Sequence, residues 1–155
     1  VEALWASVIA VVGTLLGSVV THTFQRLASR RAEEFSRAET LRRQRVDVYS
    51  GFASAVEDYR RGQSDRWYRM AQDPHGDAFW TARGQAHVLR TAARQALYQV
   101  RLVTAQSHVT DAAERAYRRT QAVSEARTQE QHDAADLEAR RSIEAFVTCA
   151  APLVR

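Results

Sequence analysis

Five histidines, a single cysteine and eighteen carboxylates are the side chains from which acid–base, nucleophilic or metal chemistry could be assembled in this 155-residue chain. The histidines stand at positions 22, 75, 87, 108 and 132, with no two four apart and no His-Glu-x-x-His motif, so no helix face offers a metal ion a matched pair. Asp73, His75 and Asp77 alternate across a Pro-Gly turn. A calcium loop needs more oxygen ligands than that, and turn formation with helix capping accounts for all three. Cys149 has no partner for a disulfide or a multi-cysteine site and reads as a small buried apolar group. Two arginine–histidine spacings remain: Arg101 to His108 with six residues between, and Arg127 to His132 with four. None of these patterns calls for a metal or a cofactor.

The elements that must carry these residues follow from composition and periodicity. Only two prolines and six glycines occur, alanine and arginine dominate, and neither lysine nor asparagine is present, so the fold is expected to be all-α. Residues 3–20 form an 18-residue run without charge, and residues 3–24 supply 22 positions before Arg26. A helix of about 20 apolar residues spans the bilayer hydrocarbon, so this run is read as a transmembrane anchor. Glu2 precedes it, and Arg26, Arg30, Arg31 and Arg37 follow it. Basic residues stay on the cytoplasmic side, so the expected protein is single-pass in a bacterial cell membrane, with the N-terminus outside and the remainder cytoplasmic. Ala6, Ala10, Gly13 and Gly17 share one face at spacings of four, three and four, suited to close packing of two anchors and hence to a homo-oligomer.

The reading divides the chain into an anchor over residues 1–24, an Arg-rich helical stalk over 25–45 and an antiparallel bundle of three or four helices over 46–155. Residues 26–45 hold seven arginines and three glutamates, a net of +4, whereas the rest of the chain is nearly balanced. Arg26, Arg30 and Arg31 are accordingly assigned to lipid headgroups, each worth about 1 kcal/mol near an anionic surface. Nucleic acid is not the expected partner, because Phe35 alone interrupts the basic segment with a stacking group.

Beyond Arg45 an apolar face appears at Val46, Tyr49, Phe52, Val56 and Tyr59, and helix one should end near Ala71 or Gln72, before the turn at 73–77. Helix two is expected from an Asp77 cap to about Thr104, with Phe79, Ala82, Ala86, Leu89, Ala93, Ala96, Val100 and Val103 as its seam. A third helix starts near Thr110 and Asp111. Residues 124–133 are polar all round and predict a linker or exposed tip, with a break near 128–132. The last helix, about residues 133–150, turns Leu137, Ile143, Phe146, Val147 and Cys149 inward before Pro152 ends it.

Trp67, Tyr68 and Trp80 cluster around the helix one to helix two turn. They are either plugs for the end of the bundle or the docking surface for a cytoplasmic protein partner. Several segments resemble a group of uncharacterised small actinobacterial single-pass membrane proteins: Arg30-Arg31-Ala32-Glu33-Glu34-Phe35, Leu41-Arg42-Arg43-Gln44-Arg45, Tyr49-Ser50-Gly51-Phe52-Ala53 and Ala92-Ala93-Arg94-Gln95-Ala96-Leu97. That resemblance implies an anchor with a cytoplasmic helical bundle and brings no activity. The two arginine–histidine spacings resemble the Arg-x4-6-His signature of the HEPN family, helical bundles that often act as ribonucleases. This second resemblance implies Arg101 and His108 as a catalytic pair completed by dimerisation. The leading expectation is a non-enzymatic scaffold or adaptor that self-associates; a membrane-tethered HEPN-like ribonuclease and an oligomeric pore are the alternatives.

Overall fold

With prolines only at positions 74 and 152, nothing interrupts helix formation over the first seventy residues, and the computed structural model has a first helix, α1, at Glu2–Gln72. The structure describes the backbone of residues 2–155 and the side chains of residues 35–155. Three more helices follow: α2 at Asp77–Val103, α3 at Ser107–Ala122 and α4 at Gln129–Ala150, with 3-10 turns at Val123–Glu125 and Ala151–Leu153. No strand occurs among the described residues. Two compact units divide the chain, Val1–Leu41 and Arg42–Arg155.

Among the described residues no helix is long and apolar enough to cross a membrane. The run at 3–24 on which the anchor expectation rests lies outside the residues whose side chains are described. So do its packing positions Ala6, Ala10, Gly13 and Gly17 and the headgroup residues Arg26, Arg30 and Arg31. At the end of the first unit, Phe35 and Leu41 are both exposed.

The second unit is an up-down-up-down bundle of four helices, the larger of the two numbers expected. Antiparallel pairing of α1 with α4 shows in Phe52 meeting Phe146 with ring centroids 4.7 Å apart, while Trp67, further along α1, meets His132, earlier on α4, at 4.4 Å. Likewise α1 runs against α2: Tyr49 Oη lies 2.9 Å from Thr104 Oγ1, and Gly62 faces Leu89. The core is Phe52, Val56 and Tyr59 with Ala93, Val100, Val109, Ala113 and Phe146 around them, all essentially inaccessible. Fully burying each large apolar group contributes about 1.5–3 kcal/mol. The small seam of α2 brings helices close, and across the bundle Tyr59 of α1 reaches Tyr117 of α3, centroids 5.9 Å apart.

Local signals set the helix ends, sometimes differently from expectation. Asp77 is the first helical residue of α2 rather than its cap, which is Gly76. The third helix starts at Ser107, before Thr110 and Asp111. Gln129 begins α4, four residues before the expected start, because Thr128 caps it: its Oγ1 accepts from Gln131 N at 3.2 Å while Gln131 Oε1 accepts from Arg127 N at 3.0 Å. Leu137 and Val147, expected inside, are exposed, since the buried face of α4 is His132, Ala139, Ile143, Phe146 and Ala150. At the chain's end Arg42 Nε donates to Val154 O at 2.8 Å.

Candidate functional site

One end of the bundle is held by polar groups. Arg60 is only 7% exposed, and its guanidinium donates to both oxygens of Glu57, at 2.9 Å and 2.6 Å, and to Asp136 Oδ1 on α4. The Arg60 hydrogen bond holds the Glu57 carboxyl below its ordinary pKa of 4.5, against the opposing effect of burial. Ser64, one turn further along α1, donates to the same Asp136 oxygen at 3.1 Å and lies 3.2 Å from His132 Nε2. His132 Nδ1 in turn lies 3.1 Å from Asp133 Oδ1.

These three groups, Ser64, His132 and Asp133, have the separations of a nucleophilic triad, but the arrangement is structural. Ser64 directs its proton to Asp136, its position inside α1 leaves no free backbone N–H groups as an oxyanion hole, and His132 is buried with Trp67 stacked on its ring. The segment 124–133 does contain the break between α3 and α4, at residues 126–128, and most of it is exposed, but it is tied down at two points. His132 is 3% exposed, and Trp67 Nε1 donates to Ala126 O at 2.8 Å.

The three aromatic partner-binding candidates separate in the structure. Trp67 is buried by its contacts with His132 and the Ala126 carbonyl, which corrects its assignment to a docking surface. Tyr68 is about half exposed and accepts from Gln129 Nε2 at 3.1 Å. Trp80 is 52% exposed, with the Arg83 guanidinium carbon 5.1 Å from its ring centre.

Arg101 and His108 are both exposed, and no hydrogen bond joins them. Arg101 Nη2 is instead taken by Glu114 Oε1 at 2.6 Å, an α2–α3 ion pair. Among the described residues no group of His, Cys, Asp and Glu is placed to hold a metal ion.

Beside the polar end opens a cleft of about 620 Å³ between α1, α2 and the 3-10 turn at Val123–Glu125. On α2 its wall is Trp80, Arg83, His87 and Arg90, spaced three, four and three, which places them on one helix face beside the Ala82–Ala86 seam. Arg66 and Gln63 of α1 face them. Gln63 Nε2 donates to Gln121 O at 3.0 Å and Ser124 Oγ at 2.9 Å, fixing the far wall. Tyr59 closes the floor, its phenol pushed up to about 12 by burial and by Tyr117, against the pull of Arg90 and Arg66. It is therefore a neutral hydroxyl at physiological pH. Sequence reasoning missed this cleft because its residues lie one step off the apolar seam; the recurrence of Trp, Arg, His and Arg along one face was the available signal.

The architecture is that of an all-α, antiparallel four-helix module with a basic cleft at its polar end. A family model described as KilB plasmid transfer protein matches residues 46–154, and the chain belongs to that family. No curated protein and no solved structure matches this chain.

Proposed function

We propose that this chain serves plasmid transfer as a non-enzymatic helical adaptor. In this reading it is held at the bacterial cell membrane through residues 3–24, with the bundle on the cytoplasmic side. The observation that carries the reading is the family match over residues 46–154, which spans nearly all of the second compact unit, Arg42–Arg155. In this reading the bundle carries the transfer role. Membrane attachment is supported by the uncharged run at 3–20 and the arginine-rich sequence after it. Self-association would use the face of Ala6, Ala10, Gly13 and Gly17, and the exposed rings of Tyr68 and Trp80 would contribute to a protein contact.

A mating assay tests this directly. Donor cells carrying the plasmid with the gene disrupted should transfer it poorly, and the full chain supplied in trans should restore transfer. A chain with Gly13→Ile and Gly17→Ile should restore it less well and show reduced oligomer on cross-linking in membranes. Transfer at the wild-type frequency without the protein would remove the proposed role.

A further inference from the structure

The cleft beside Trp80 contains three arginines that the fold leaves without counter-charges. Arg66, Arg83 and Arg90 make no ion pair, a property they share with exposed arginines such as Arg115, Arg127 and Arg141, but these three converge on one concave space. Glu125 is the one carboxylate on the cleft lining, against three arginines and His87.

Two of these arginines also carry buried, unsatisfied donors: Arg66 Nε and Arg90 Nε have no hydrogen-bond partner. The only hydrogen bond of Arg66 is a long one, 3.5 Å from Nη1 to Ser124 Oγ. A buried N–H on a cation is costly to leave unpaired, and such a group in a native protein calls for a partner from outside the chain, whether water, an ion or a ligand. The neighbouring Arg60 shows that this bundle can satisfy a buried guanidinium from its own side chains. At Arg66 and Arg90 it does not.

We propose that this cleft binds the phosphoryl group of a small ligand of nucleotide size. Guanidinium forks match phosphate oxygens two at a time. The Tyr59 phenol, neutral at physiological pH, and the exposed His87 line the same space. The volume of about 620 Å³ falls within the range of small-ligand sites and exceeds what one phosphate fills. At the rim, Trp80 presents an aromatic surface to the remainder of the ligand. The space over Gly84 is open: a Cβ built there meets nothing within 4 Å, so only a large side chain would obstruct the cleft.

Calorimetric titration of the full chain, purified in a detergent without phosphate, provides the test, with ATP, pyrophosphate and glycerol 3-phosphate as probes. ATP should bind, and Arg66→Gln and Arg90→Gln should each weaken it about tenfold or more, the loss of one charge-assisted contact. Arg118→Gln, outside the cleft, should leave binding unchanged. Gly84→Phe should block binding while leaving the melting temperature unchanged or raised, because it fills space and replaces a poor helix residue. Pyrophosphate binding as tightly as ATP would place recognition wholly in the arginines; tighter binding of ATP would add Trp80. Tightest binding of glycerol 3-phosphate would identify a lipid headgroup as the source of the phosphoryl group. Absence of binding to all three overturns the proposal. So does affinity that is equal in wild type, Arg66→Gln and Arg90→Gln, or binding confined to single-stranded DNA and indifferent to Gly84→Phe.

Discussion

Replacing Arg60 by leucine should destabilise the bundle by about 2–3 kcal/mol. Removing one member of a buried ion pair typically costs about 3–5 kcal/mol, because the partner is left charged in a poor solvent. Here the cost is lower for reasons visible in the site. Asp136 keeps the Ser64 hydroxyl at 3.1 Å and Arg140 at 3.7 Å, Glu57 keeps Arg61 at 4.0 Å, and both carboxylates retain some contact with water. Replacing Asp136 by leucine should cost about 1–2 kcal/mol, since Arg60 retains its two bonds to Glu57. The double variant should fall short of the sum by about 1–2 kcal/mol, because the second substitution no longer strands a charge. Urea unfolding of the four proteins, followed by circular dichroism, measures this coupling from the midpoints at constant slope. Additivity within about 0.5 kcal/mol would mean that the Arg60–Asp136 contact does not hold α1 to α4, and the account of the polar end would fall with it.

Phe146→Ala should be the more damaging change, about 3–5 kcal/mol, because the ring is fully buried between Tyr49 and Phe52; a midpoint close to wild type in the same urea experiment would contradict the assigned core. Acid should weaken the bundle through Glu57. Its folded pKa lies below the ordinary 4.5, so its contribution is complete above that value and is lost as pH falls through the depressed one. Glu57→Gln should therefore flatten the decline in stability below about pH 4.5, and parallel acid profiles for the two proteins would exclude this linkage.

Where the buried seams are apolar, they were legible in the sequence. The alternation on α2 identified Phe79, Ala82, Ala86, Ala93, Ala96 and Val100 as inward, and all six are buried. On α4 the seam has the same spacing, with His132, Asp136, Ala139, Ile143, Phe146 and Ala150 at intervals of four and three. Two of those members are polar, and a search for apolar residues passed over them to Leu137 and Val147. The early start of α4 was written as Thr128-x-x-Gln131, the capping-box pattern, directly before the helix. Burial of His132 and Arg60 depends on partners 68 and 76 positions away, and no local pattern encodes such pairings. The cleft was obscured similarly. Its arginines resemble any others in a chain whose basic residues are all arginine, until the structure shows which of them line one cleft.

The two ends of the bundle are built from different materials, and that bears on how it opens. Around Phe52, Val100, Val109 and Phe146 cohesion comes from interlocked rings and methyl groups, which release only when helices separate together. Around Arg60, Ser64 and His132 it comes from directed bonds that water can replace one at a time. Partial unfolding should therefore begin at the second end, where amide hydrogens would exchange fastest while the ring-packed end stays closed. Because the arginine cleft lies on that looser end, an occupant there would slow exchange across the segments it touches, joining the chemistry of the cleft to the breathing of the helices that form it.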